Sequence, residues 1–305
     1  VEVPTSPARF GAAFGSTGRD GNSGFNIRGL EGNRVLIQTD GVRVPDAYTF
    51  GPSLYGRGDF VDLDLLSRVE IVRGPTSALY GSDGLAGAVS FVTRDPEEFL
   101  SNGRDFGLRA RTAYASANDQ WSNGLILAGR TGRFSGLLSY TRRDGHEQEN
   151  QGDNDVIGSL RDTANPQEVG SNAYMARGVY QVNDQHRLRL TWDHLDREVS
   201  SDILSGVTAA TLDILGTDTT DRDRVAADWI FEDGTGLIQG AQITTYWQDA
   251  SVRQFTFEDR NPAADRTRDN TFDNQVFGAS AQFDSGVSLG SVEHRFTWGA
   301  DYSIT

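Results

Sequence analysis

"RVEIVRGPTSALYGSDGLAGAVSFVTRDP", residues 68–96, sets two apolar, β-prone runs around a stretch of small residues with glycines at 74, 81, 84 and 87. A glycine-rich loop after a strand can cradle a phosphate, because exposed backbone N–H groups bind anions. That use has a signature. A P-loop ends in Lys followed by Ser or Thr and opens an amphipathic helix, and a dinucleotide fold needs G-x-G-x-x-G at a helix start. Neither is present. The chain after Gly87 reads Ala88, Val89, Ser90, Phe91, Val92, Thr93, which is β-prone and too short for a helix. The glycines therefore read as turn residues, and the rest of the chain must say why so many turns are crowded together.

Composition narrows the class. With 305 residues the chain is long enough for a large core or two domains. Mean hydropathy is nevertheless −0.47, and no window approaches the 18 apolar residues of a helical membrane span. Cysteine is absent, so disulfides and thiolate metal sites are unavailable, which suits a cell-envelope protein. A net charge of −15, with no basic stripe, would repel nucleic acid. Abundant Gly, Asn, Asp, Ser and Thr favour strands and turns over helices.

From about Phe106 onward the hydrophobic period is two. "RLRLTWDHL" (187–195) sets Leu188, Leu190 and Trp192 on one face against Arg187, Arg189, Thr191 and Asp193 on the other. "RFSGLLSYT" repeats the pattern with Phe134, Gly136, Leu138 and Tyr140 against Ser135, Ser139 and Thr141, Leu137 being the exception. "VAADWIFE", "AQITTYWQ" and "RFTWGADY" follow suit, and about nine such strands fit into 106–305. Short turns near 131–133, 183–185 and 233–235 alternate with long polar links at 144–171, 200–221 and 254–270. An outer-membrane barrel sorts its loops in this way, with tight periplasmic turns and long extracellular loops. A soluble sandwich also alternates along its strands but has no reason to sort its connections by side. Tyr140, Trp192, Phe231 and Trp247 fit interfacial aromatic girdles.

Residues 1–100 are organised differently. Strand-like "RVLIQTDGVRV" and "RVEIVRG" are mixed with a loop at 45–59 and a short apolar stretch, "FVDLDLLS" (60–67), that could hold a helical turn or two. This reads as a compact module preceding the strands.

"FNIRGLEGNRVLIQTDGVRV" (25–44), followed by "LLSRVEIVRGPTSALYGSDGLAGAVSFVTRDP" (65–96), closely resembles the plug domain of TonB-dependent outer-membrane receptors. The resemblance implies an all-β transmembrane barrel of 22 strands with an N-terminal α+β plug inside it. It divides the chain into a plug portion at 1–100 and the first barrel strands at 101–305. The chain then reads as a fragment without a signal peptide, TonB box or the remaining strands. The implied setting is the outer membrane of a Gram-negative bacterium, and the implied partners are the TonB complex, outer-membrane lipid and a small-molecule or haemoprotein ligand. No catalytic group, resident metal or permanently bound cofactor is implied. A haem or ferric chelate would be the transported cargo.

The same resemblance marks motif positions. Arg28, Gly29, Asp40, Gly41, Arg68, Glu70, Arg73, Gly74, Pro75, Tyr80 and Gly81 match the plug pattern. Small residues there let strands and turns pass closely inside a barrel. Arg28, Arg68, Glu70 and Arg73 would latch the plug to polar partners, or else form solvated pairs of about 0–1 kcal/mol each. Within the family, "GNRVLIQTDGVR", "FVTRDPEEFL" and "RRDGHEQENQG" resemble the haem and haemoglobin receptor group. His146 would then lie in the second extracellular loop, able to ligate haem iron or touch a host protein. Residues 1–100 contain no histidine, so Tyr48 and Tyr55 are the candidate iron ligands or stacking groups near the plug apex. His186, His194 and His294 read as lumen, turn or interface residues. The acidic stretches at 152–162 and 217–224 lack the EF-hand spacing and read as solvated loops. The alternatives are a receptor for an Fe(III)-siderophore, cobalamin or oligosaccharide, a passive porin or adhesion barrel, and an outer-membrane enzyme. A passive barrel would carry no plug module, and the four histidines show no catalytic arrangement.

Overall fold

The computed structural model describes residues 25–30, 32–46, 48–50, 53–55, 60–76, 84–100, 103–289 and 292–305, with backbone only at 48–50, 53–55, 288 and 289. Tyr80 and Gly81 lie outside the described residues.

The N-terminal module is built on strands β1 (Val35–Thr39), β2 (Val42–Arg43), β3 (Tyr48–Phe50), β4 (Ser53–Tyr55), β5 (Leu66–Arg73) and β6 (Gly87–Thr93). Four of them form one sheet in the order β2-β1-β6-β5, with β1 parallel to β6 and the other pairs antiparallel. All five residues of β1 are buried, as expected for a strand covered on both faces. Gly87 shows why the opening motif is rich in small residues. Its φ is +151°, and a Cβ there would lie 2.1 Å from the carbonyl oxygen of Val72, so no other residue lets β6 start against β5. The apolar stretch at 60–67 yields a 3-10 turn at Leu63–Leu65, opened by Asp62, whose carboxylate accepts the N–H of Asp64 at 2.8 Å. Leu66 then starts β5 instead of continuing a helix. Among the described residues the helical part of the expected α+β plug consists of 3-10 turns alone, because the β-prone "SRVEIVR" follows immediately.

Nine antiparallel strands in sequence order form the second sheet: β7 (Phe106–Ala115), β8 (Gln120–Thr131), β9 (Phe134–His146), β10 (Gln167–Gln181), β11 (His186–Asp202), β12 (Thr211–Phe231), β13 (Ile238–Arg260), β14 (Arg266–Leu289) and β15 (Val292–Ile304). The number of strands matches the period-two reading. Two of the three long links do not survive at their expected length. Residues 211–221 and 254–260 continue β12 and β13, because their Thr, Asp and Arg residues keep pairing beyond the apolar band. "TDTTDRDR" is accordingly strand and not an acidic loop, whereas 147–166 is a true long connection.

The faces of this sheet are inverted relative to a soluble protein. Leu188, Leu190 and Trp192 are 46%, 57% and 40% exposed, while Thr191 and Asp193 between and beside them are 2% and 4% exposed. Phe134, Leu138, Tyr140 and Val225 continue the exposed apolar rows on neighbouring strands. An apolar outer face over a polar inner face is the pattern of a wall standing in lipid. The inner face carries the N-terminal module. Ala250 and Val252 of β13 join Ile27, Val35, Ile37, Phe60, Val89 and Phe91 in one core. Ile126, Leu137, Ala173, Met175 and Leu195 form a second apolar patch against Leu65 and Phe99. Leu137, the exception to the alternation, points inward because it meets the plug.

Candidate functional site at the plug–wall interface

The Asp40-Gly41 pair closes a two-residue hairpin between β1 and β2, with Thr39 opposite Val42 and φ values of 50° and 83°. Asp-Gly is the sequence preferred where both turn residues need positive φ. The turn brings the Asp40 carboxylate to the inner face of the wall. Its Oδ1 accepts the N–H of Thr93 at 2.9 Å, and its Oδ2 accepts the Thr93 hydroxyl at 2.6 Å.

Two wall arginines complete the arrangement. Arg177 of β10 donates from Nη2 to Asp40 Oδ2 at 2.8 Å, from Nη1 to Asp95 at 2.9 Å and to the Arg94 carbonyl at 2.9 Å, and from Nε to Thr191 at 3.0 Å. Arg224 of β12 reaches Asp40 Oδ2 at 3.3 Å, holds Asp193 through Nε at 2.6 Å and donates to the Thr39 carbonyl. The side chains of Arg177, Arg224 and Asp40 are 0%, 1% and 7% exposed. Burial pushes the Asp40 carboxyl up, but Arg177, Arg224 and the two Thr93 bonds together hold it well below the usual carboxylate range. The carboxylate is thus charged, buried and paired. Removing one member of such a cluster leaves uncompensated charge, at about 3–5 kcal/mol.

A second contact has the same polarity. Arg143 of β9 pairs with Asp62 and, at 2.7 Å, with Asp64, while Arg111 of β7 also pairs with Asp64. Glu97 accepts the Ser135 hydroxyl at 2.6 Å. In each of these ion pairs the plug contributes the anion and the wall the cation; the looser pair of Arg43 with Asp301 of β15, at 3.7 Å, runs the other way. This is an electrostatic clasp.

The residues named from the sequence are distributed unevenly around it. Among the described residues, Asp40 is the motif residue that ion-pairs with the wall. Arg68 and Glu70 pair with each other at 2.7 Å within β5, both exposed, and Arg73 is exposed beside them. Arg28 and Gly29 form an exposed turn, in which Asn26 accepts the Gly29 N–H at 2.9 Å. Gly74 and Pro75 close β5, Gly74 donating to the Ala86 carbonyl at 2.9 Å. His146 is the last residue of β9, not part of the loop beyond it. It is exposed opposite Glu168, on the row that carries Tyr140 and Leu138 outward. Tyr48 and Tyr55 face each other in the backbone ladder of the β3–β4 hairpin. The remaining histidines sit on the outward row with aromatic neighbours: His186 stacks on Phe231 at 4.7 Å, His194 on Trp192 at 6.3 Å and His294 on Phe296 at 6.1 Å.

Residues 8–88 match the family described as TonB-dependent Receptor Plug Domain. Hemoglobin-binding protein A of Haemophilus influenzae is 33% identical over 196 residues, covering 60% of this chain and 19% of that protein. Residues 8–88 thus place a plug of the TonB-dependent receptor type in this chain. Transferrin-binding protein A of Neisseria meningitidis serogroup B is 34% identical over 145 residues, covering 45% of this chain and 16% of its own length. The chain spans about a fifth of the length of these curated relatives. Among solved structures, the Serratia marcescens hemophore receptor HasR superposes with a TM-score of 0.71 at 20% identity, over 93% of this chain and 39% of HasR. The FrpB iron transporter of Neisseria meningitidis gives 0.66 at 19%, over 92% and 42%. These two share the fold: a plug against the inner face of an outer-membrane barrel wall. The receptor's wall stands in the outer membrane of a Gram-negative bacterium.

Proposed function

We propose that this receptor carries haem or haemoprotein-derived iron across the outer membrane, with residues 1–100 acting as the plug and 101–305 as the first part of the barrel wall. The plug closes the lumen until TonB, engaged from the periplasm, moves it. The observation that carries this reading is the Asp40 clasp. A buried, charge-paired turn holds the plug to two wall strands without covalent bonds, strongly enough to seal and locally enough to release. Release requires the ligand to contact the closed and open states differently.

Haem is the favoured cargo because relatives at 31–33% identity are named as hemoglobin-binding and hemoglobin-haptoglobin-binding proteins. His146, Tyr48 and Tyr55 are the proposed ligand-contacting residues. Haemin titration of the complete receptor, followed at the Soret band, tests the reading. A saturable shift in wild type, lost in His146→Ala or Tyr48→Phe, is expected. No shift in wild type would overturn the haem assignment and redirect the search to Fe(III)-siderophores.

A further inference from the structure

We propose that a groove on the outward face of the wall, over β8, β9 and β10, seats one acyl chain of a phospholipid from the periplasm-facing leaflet. The proposal rests on reading this face as lipid-facing and is independent of what the receptor transports.

The groove exists because three neighbouring strands lack side chains at one level. Gly129 pairs with Gly136, and Gly136 with Gly178, so the three lie side by side on the outward row. Phe106 stands at one end of that row and Leu190 at the other. The next outward row, Leu127, Leu138, Ala176 and Trp192, forms the upper rim. The depression measures about 660 Å³, within the roughly 300–1,000 Å³ of small-ligand sites. Phe134 leans across the floor, 3.3 Å from where a Gly178 Cβ would be, and narrows the groove without filling it.

Its position chooses the occupant. The groove ends at Thr131, beside the 132–133 turn, and the tight turns of such barrels face the periplasm. The cavity is continuous with the apolar face that lipid already covers, so an acyl chain reaches it without leaving the bilayer. Lipid tails are as apolar as this rim, so retention depends on shape and van der Waals contact. At the turn Arg133 is exposed, with Nη1 on the Val182 carbonyl at 2.8 Å. Its remaining N–H groups and the Thr131 hydroxyl stand at the headgroup level, suited to a phosphodiester. Barrel closure would extend the sheet in its own plane beyond β7 and leave this face open.

The test is native mass spectrometry of the complete receptor after exchange in mixed micelles of phosphatidylethanolamine and lipid A. Wild type is expected to retain one phosphatidylethanolamine, and Gly129→Leu at least tenfold less. Gly129 is the position to fill, since an added Cβ meets nothing nearer than the Asp105 carbonyl at 3.9 Å. Trp192→Ala, which removes part of the rim, should lose the same lipid and serves if the first variant fails to assemble. Equal retention by wild type and an assembled variant, retention of lipid A instead, or a polypeptide held in the groove would each overturn the proposal.

Discussion

The two edges of the plug sheet carry the same kinds of charge in opposite surroundings. At the β1–β2 edge Asp40 is enclosed with Arg177 and Arg224, and its charge is held by two wall strands and Thr93. At the β5 edge Arg68 and Glu70 form a shorter pair, at 2.7 Å, yet their side chains are 61% and 47% exposed. Distance therefore does not rank these contacts. Burial does, because solvent screens the second pair and leaves the first unscreened.

Substitutions can break that comparison. Asp40→Ala in the complete receptor is expected to have the largest effect, about 3–5 kcal/mol in plug stability by denaturant titration. Its pH dependence follows from a depressed folded-state pKa. The contribution is fully present above the unfolded value of about 4 and is lost as pH falls below it toward the folded value. Asp40→Ala should remove this acid-dependent component.

Two adjacent leucines offer the next contrast. Leu137 points into the plug contact at 2% exposure, and Leu138 points outward at 59%. Leu137→Ala should cost about 2–5 kcal/mol by the same titration. Leu138→Ala, whose side chain meets lipid and not the plug, should stay within about 1 kcal/mol; equal losses would refute the assignment of faces. Arg68→Ala is expected to be the smallest, about 0–1 kcal/mol. A loss as large as that of Asp40→Ala would mean that the β5 row is clasped as tightly as the β1–β2 turn.

Much of this was legible in the sequence. Alternation from Phe106 onward, broken at Leu137, gave the nine-stranded wall and its faces, because a half-buried sheet leaves no other period. The small residues of 74–87 pointed to close strand packing, as Gly87 against Val72 shows. The clasp was less visible. Asp-Gly at 40–41 is a pair suited to a tight hairpin, though the resemblance marks it only as a motif position, and Arg177 falls on the inward parity of β10, but nothing local says that residues 137 positions apart meet. The motif arginines Arg68 and Arg73 lie exposed, whereas the clasp takes its cations from the wall and its aspartates from the plug. The lengths of β12 and β13 were also hidden, since polar strand beyond the membrane reads like loop when burial no longer enforces an apolar row.

The Asp40 turn holds the plug against the wall. Amide hydrogen exchange of the complete receptor in lipid bilayers, wild type against Asp40→Asn, reads that hold strand by strand. Exchange should accelerate at residues 35–44, while 66–73 changes little. Identical protection of 35–44 in both proteins would contradict the account.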